Sequence, residues 1–171
     1  MLISFAITVA LLIGLEIVTS TVMPVFGWKE YRLTFNVLII LFLAIRMDSP
    51  GVPWMILGLQ MVHSIFSIEG WALGTLAGVI VMLSANYLKE LLHLTTAFMT
   101  MLVVQFFQVI WFITVTLVIC LKIGDFEKFG LIAGSFIPGS IFLSVISPIL
   151  FWMLSLIWKV PSSGGHHGVE I

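Results

Sequence analysis

Residues 70–90 read GWALGTLAGVIVMLSANYLKE, with glycines at Gly70, Gly74 and Gly78, every fourth position. On a helix that spacing stacks them along one face and makes a flat strip. Lipid provides no hydrophobic drive to press two helices together, so close approach at small residues supplies much of their association through van der Waals contact. The strip therefore predicts another helix lying against it. Asn86 follows two turns after Gly78 on the same side, and Leu73, Leu76, Val79, Ile80 and Leu83 form a face suited to lipid or to a packed neighbour. Glycine is common in membrane helices generally; the register, not the number, carries the expectation.

Composition identifies the medium. Of 171 residues, 61% are apolar and 9% charged, and mean hydropathy is +1.24. Such a chain has too few polar side chains to cover a water-soluble globule. The expected fold is all-α: a polytopic integral membrane bundle of about six transmembrane helices. Residues 1–160 read as one helical domain, and residues 161–171 as a polar tail, His166 and His167 included, that is expected to be disordered. A net charge of −1, with no basic run, argues against a nucleic-acid partner or a polybasic lipid-binding tail. Cys120 is the single cysteine, which excludes an intrachain disulfide or a cysteine cluster for a metal.

On the amino-terminal side of the strip, residues 54–68 read WMILGLQMVHSIFSI. Gln60 and His63, three apart, share a helix face and need partners within the bundle. A histidine with no carboxylate or cysteine at ligand spacing reads as a hydrogen-bonded interior residue, and no metal or cofactor is expected. Glu69 and Gly70 make a short connection, which predicts an antiparallel hairpin of the third and fourth spans. On the other side, the apolar residues 94–121 would rise about 42 Å as a helix, more than the roughly 30 Å hydrocarbon core. Tilt or a protruding end is required. Gln105 and Gln108 are again three apart, Trp111 continues their stripe, and such amides suit interhelical hydrogen bonds of about 0.6 kcal/mol each.

Farther out, residues 2–22 read as a retained first span, ended by Pro24 and Gly27 with Trp28 at the interface. Glu16 interrupts it. An ionised carboxylate near mid-membrane costs about 2.5–3.5 kcal/mol, so Glu16 must be shielded, paired or protonated, as a proton or cation ligand or as a group hydrogen-bonded to a neighbouring span. Lys29, Glu30, Tyr31 and Arg32 form a polar connection. Residues 33–45, apolar except for Thr34 and Asn36, rise only about 20 Å and read as a short span with Arg46 snorkelling at its end. Pro50, Gly51 and Pro53 mark a turn. Near the carboxyl end, Pro138 and Gly139 predict the start of a sixth span, with residues 129–137 entering it and Pro148 kinking it. Six crossings put both ends on one side. Arg46, Lys89 and Lys159 on one side against Lys29, Arg32, Lys122 and Lys128 on the other leave the orientation open.

No arrangement of nucleophile, base and orienting group is legible. An intramembrane serine protease would need a Gly-x-Ser-Gly setting facing a histidine, and Gly134-Ser135 is followed by Phe136. A phosphate-cradling glycine loop is missing too. The residues read as a scaffold or a binding component and not as an enzyme.

The sequence resembles the family of the rod-shape-determining protein MreD. The resemblance runs over residues 31–158: a polar start and apolar run closed by Arg46, the Gly58-Leu59-Gln60 helix, the tight turn into the glycine-rich helix at residues 69–78, and Ser147-Pro148 in the last span. It implies a non-enzymatic, multi-pass component of the bacterial inner (cytoplasmic) membrane that serves cell elongation and peptidoglycan synthesis, with a cytoplasmic amino terminus. The implied partner is a bitopic MreC-like protein and, through it, the actin-like MreB, the glycosyltransferase RodA and a class B penicillin-binding protein. The glycine strip would then pack an internal helix or the single span of that partner. A different class of protein shares some of these features: the substrate-binding subunit of an energy-coupling-factor vitamin transporter. Ala6 and Ala10 resemble the small-residue pair with which such subunits dock, and Gln105, Gln108 and Trp111 would line its ligand pocket.

Overall fold

A computed structural model describes residues 2–25, 33–47, 49–67, 70–89, 96–124, Phe126 and 128–159. Trp28, the connection at Lys29, Glu30, Tyr31 and Arg32, the loop residues Asp48, Glu69, Glu90, His93, Asp125 and Glu127, and the tail at residues 161–171 lie outside them. The described residues form six helices: α1 (Leu2–Val25), α2 (Phe35–Arg46), α3 (Val52–His63), α4 (Trp71–Leu88), α5 (Ala97–Ile123) and α6 (Lys128–Trp158). The protein is an all-α membrane bundle.

Four of the six, α1, α4, α5 and α6, are long and apolar enough to cross a membrane, which corrects the count of about six spans. Helices α2 and α3 have 12 residues each, about 18 Å of rise. The physical reason in α2 is its position. Every residue from Phe35 to Ile45 is buried, and α2 packs against each of the other five helices. A helix enclosed by protein does not meet lipid, so its length is not set by bilayer thickness. Its apolar run from Val37 to Ile45, which reads as part of a short span, is the signature of burial on all sides.

Side-chain contacts fix the directions. Asn36 meets Gln60 and Ile40 lies by Gly78, so α2 runs against α3 and along α4. Gln105 bonds to Ser140 and Ser144 whereas Phe112, two turns later in α5, stacks on the earlier Phe136 of α6, making the two helices antiparallel. Trp158 Nε1 donates to Thr8 Oγ1 at 3.0 Å, which brings the last turn of α6 to the first turns of α1. Aromatic pairs lock the layers together, Phe42 edge-on to Phe151 at 5.5 Å and Phe112 stacked on Phe136 at 4.3 Å.

Local chemistry sets the helix ends. Thr96 caps α5, its side chain accepting from the Met99 N–H at 3.2 Å, and Gly124 closes it in the left-handed region at φ 74°. Helix α3 stops at His63, five residues before the sequence reading ends it, in tight turns where Ile65 N–H donates to Val62 O and Phe66 N–H to His63 O. The connection to α4 is therefore longer than Glu69 and Gly70 alone. Helix α6 is continuous through Pro138, so no separate entering segment precedes it. Proline removes one N–H from the ladder, and in a membrane helix neighbouring hydroxyls can satisfy what it frees. At Pro148 the freed acceptor is Ser144 O, and Ser147 Oγ–H donates to it at 2.7 Å.

Candidate functional site

The glycine face of α4 is filled from inside the protein. A Cβ built on Gly74 would stand 2.5 Å from Gln60 Oε1, and one on Gly78 would stand 2.9 Å from Ile56 Cγ2, 3.1 Å from Ile40 Cδ1 and 3.6 Å from Trp111 Cζ3. Side chains of α2, α3 and α5 thus occupy the space that the two glycines vacate. Gly70 does not belong to that surface. It is exposed, takes φ 76° at the start of α4, and has nothing within 4 Å of an added Cβ. Its role is to turn the chain into the helix, where an L side chain would be strained. Asn86 is likewise exposed and not a buried polar group. The buried stripe of α4 continues through Val81 and Ala85, and a step of four drifts off it because the helix turns every 3.6 residues.

Beside Gly74 lies a polar cluster drawn from three helices. Glu16 of α1, Asn36 of α2, and Gln60 and His63 of α3 are 6%, 0%, 1% and 5% exposed. His63 Nδ1 and Glu16 Oε1 are 2.7 Å apart, a hydrogen bond that a neutral ring donates through Nδ1–H when Glu16 is ionised. Asn36 Nδ2 donates to Gln60 Oε1 at a longer 3.4 Å. The pairing of Glu16 answers the cost of an acid at membrane depth, because a carboxylate left alone there is expensive and one with a charge-assisted partner is less so. Removing either partner would leave the other buried and unpaired. The arrangement ties the peripheral α1 to the central hairpin of α2 and α3.

A second polar set joins α5 to α6. Gln105 Nε2 donates to Ser140 Oγ at 3.1 Å, Ser144 Oγ donates to Gln105 Oε1 at 2.7 Å, and Gln108 Nε2 donates to Ser144 Oγ at 3.2 Å and Ser140 O at 3.4 Å. Gln108 is fully buried and Gln105 partly so. These contacts fasten neighbouring helices. The Trp111 ring, next along their stripe, packs toward Gly78.

Sequence reasoning singled out Glu16 and His63 separately but did not join them, and it missed Asn36, Ser140, Ser144 and the Thr8 to Trp158 bond as partners. A signal existed for the serines. Ser140 and Ser144 are four apart, as acceptors for two amides on one facing helix must be. Among the described residues, no three His, Cys, Asp or Glu side chains are grouped to hold a metal. Comparisons of the chain with protein-family models, with curated proteins and with solved structures find no match.

Proposed function

We propose that this chain is a non-catalytic scaffold of the bacterial inner membrane, an MreD-like component of the cell-elongation machinery. In this reading it binds a bitopic MreC-like protein and, indirectly, MreB, RodA and a class B penicillin-binding protein. The observation that carries the reading is how the interior is used. Gly74, Gly78, Gln60 and Gln108 face the bundle's own side chains, so the protein invests its packing and polar groups in holding itself rigid. Partner contact then falls to the outer faces, where α1 exposes Ala6, Ala10 and Gly14. Small residues on a lipid-facing helix permit the close approach of another single span. The resemblance over residues 31–158 supplies the partner's class. Co-expression with the MreC-like protein of the same genome tests it: a stoichiometric complex that survives detergent supports the reading, and failure to associate in both detergent and bilayers rejects it.

One observation favours the vitamin-transporter reading. Ala6 and Ala10 both face outward on α1, as a docking pair must. Gln105 and Gln108 bond to Ser140 and Ser144, the Trp111 ring packs toward Gly78, and a cavity of about 340 Å³ lies beside Met47, Ser49, Asn86 and Lys89. Native mass spectrometry of the purified protein separates the two readings, since a stoichiometric small molecule is required by transport and not by scaffolding.

A further inference from the structure

The buried cluster of Asn36, Gln60, His63 and Glu16 has more hydrogen-bonding capacity than its members satisfy. Asn36 Oδ1, Gln60 Nε2 and His63 Nε2 have no partner among the described residues. Turning both amides over does not cure this. It exchanges donor for acceptor and again leaves one of each unpaired. The ring has a fixed sense when its Nδ1–H donates to Glu16, because Nε2 of a neutral imidazole is then an acceptor.

Gln60 and His63 stand three residues apart on one face of α3, a spacing that puts their Cβ atoms about 5–6 Å from each other. We infer that an ordered water is bound between them, accepting from Gln60 Nε2–H and donating to His63 Nε2 and to Asn36 Oδ1. Three protein partners is the usual complement of an internal water. The result is a continuous chain, Asn36, Gln60, water, His63, Glu16, that links α2, α3 and α1 through the core. The guest must donate and accept at once, which suits water and not a cation. Gly74 takes part indirectly: with no side chain it leaves room for the Gln60 amide, whose Oε1 would lie 2.5 Å from a Cβ there. This site holds whichever partner the bundle docks.

Solid-state NMR of the full chain in bilayers, with ¹⁵N-labelled glutamine and histidine, tests the inference by magnetisation transfer from water. Gln105 is the internal control, because its amide nitrogen and oxygen are both bonded, to Ser140 and Ser144. The Gln60 amide and the His63 ring should receive magnetisation several-fold faster than Gln105. Gln60→Leu should abolish the transfer to His63 while leaving the Gln105 signal in place. Equally slow transfer to Gln60, His63 and Gln105 in the unmodified protein overturns the site, and so does transfer to His63 that survives Gln60→Leu. If that variant does not fold, the comparison in the unmodified chain decides alone.

Discussion

Replacing Gly78 by alanine adds one methyl group at a close apolar contact between α3 and α4. The new Cβ would sit 2.9 Å from Ile56 Cγ2 and 3.1 Å from Ile40 Cδ1, whereas carbon atoms pack best at about 3.5–4.0 Å. Ile56 Cγ2 hangs directly on its Cβ, and a β-branched side chain in a helix has one strongly preferred rotamer. The methyl cannot swing aside, so the helices must separate. Overpacking of this kind costs about 1–3 kcal/mol, while the change from glycine to alanine returns up to about 1 kcal/mol of helix propensity. Gly14→Ala gives the same propensity gain with nothing within 4 Å of the new Cβ. The difference between the two variants therefore isolates the overpacking, and at about 2–4 °C per kcal/mol it separates their melting temperatures by roughly 2–12 °C. Cys120, buried and the single cysteine, provides the readout, since a thiol-reactive dye labels it as the bundle opens in detergent. If Gly78→Ala melts together with Gly14→Ala or above it, the close packing of α3 on α4 is wrong.

Truncating Glu16 or His63 to leucine singly should cost about 3–5 kcal/mol, as for one partner removed from a buried pair; in a double-mutant cycle the two losses should fall short of additivity by about 0.5–3 kcal/mol, and strict additivity would break the proposed pair. Gln108→Leu should destabilise by about 0.6–1.7 kcal/mol, the range for interhelical hydrogen bonds in a bilayer, measured by the same thiol assay. Trp158→Phe keeps an aromatic ring but removes the donor to Thr8; hydrogen exchange should speed up in the first turns of α1 and stay unchanged in α5. Asn86→Ala, at an exposed position, should shift stability by no more than about 0.5 kcal/mol.

Much of the interior was legible because it depends on spacing within one helix. Gly74 and Gly78 share a face by arithmetic, and Gln105 and Gln108 announce a polar seam for the same reason. What the sequence could not supply is relative depth. Glu16 meets His63 only because α3 lies alongside α1 and ends at His63, and neither fact is encoded within three or four residues of either side chain. Gly70 and Asn86 failed for a related reason. They satisfy a period of four, but Gly70 stands where the chain enters α4, and a step of four outruns the 3.6-residue turn, so Asn86 has rotated away from the buried stripe that continues through Val81 and Ala85. Helix α2 was read as a span because burial in protein and immersion in lipid select the same apolar residues. Its 12-residue length was the clue that it answers to its neighbours and not to the bilayer.

The central claim is that the bundle's interior serves its own cohesion and its outer faces serve a partner. Photo-crosslinking in cells tests this directly, with a photoreactive amino acid placed either at the exposed Ala10 of α1 or at the buried Ile40 of α2. The account predicts an adduct with the bitopic MreC-like protein from position 10 and none from position 40. An adduct from position 40, or no adduct from position 10 nor from the equally exposed position 6, would contradict it.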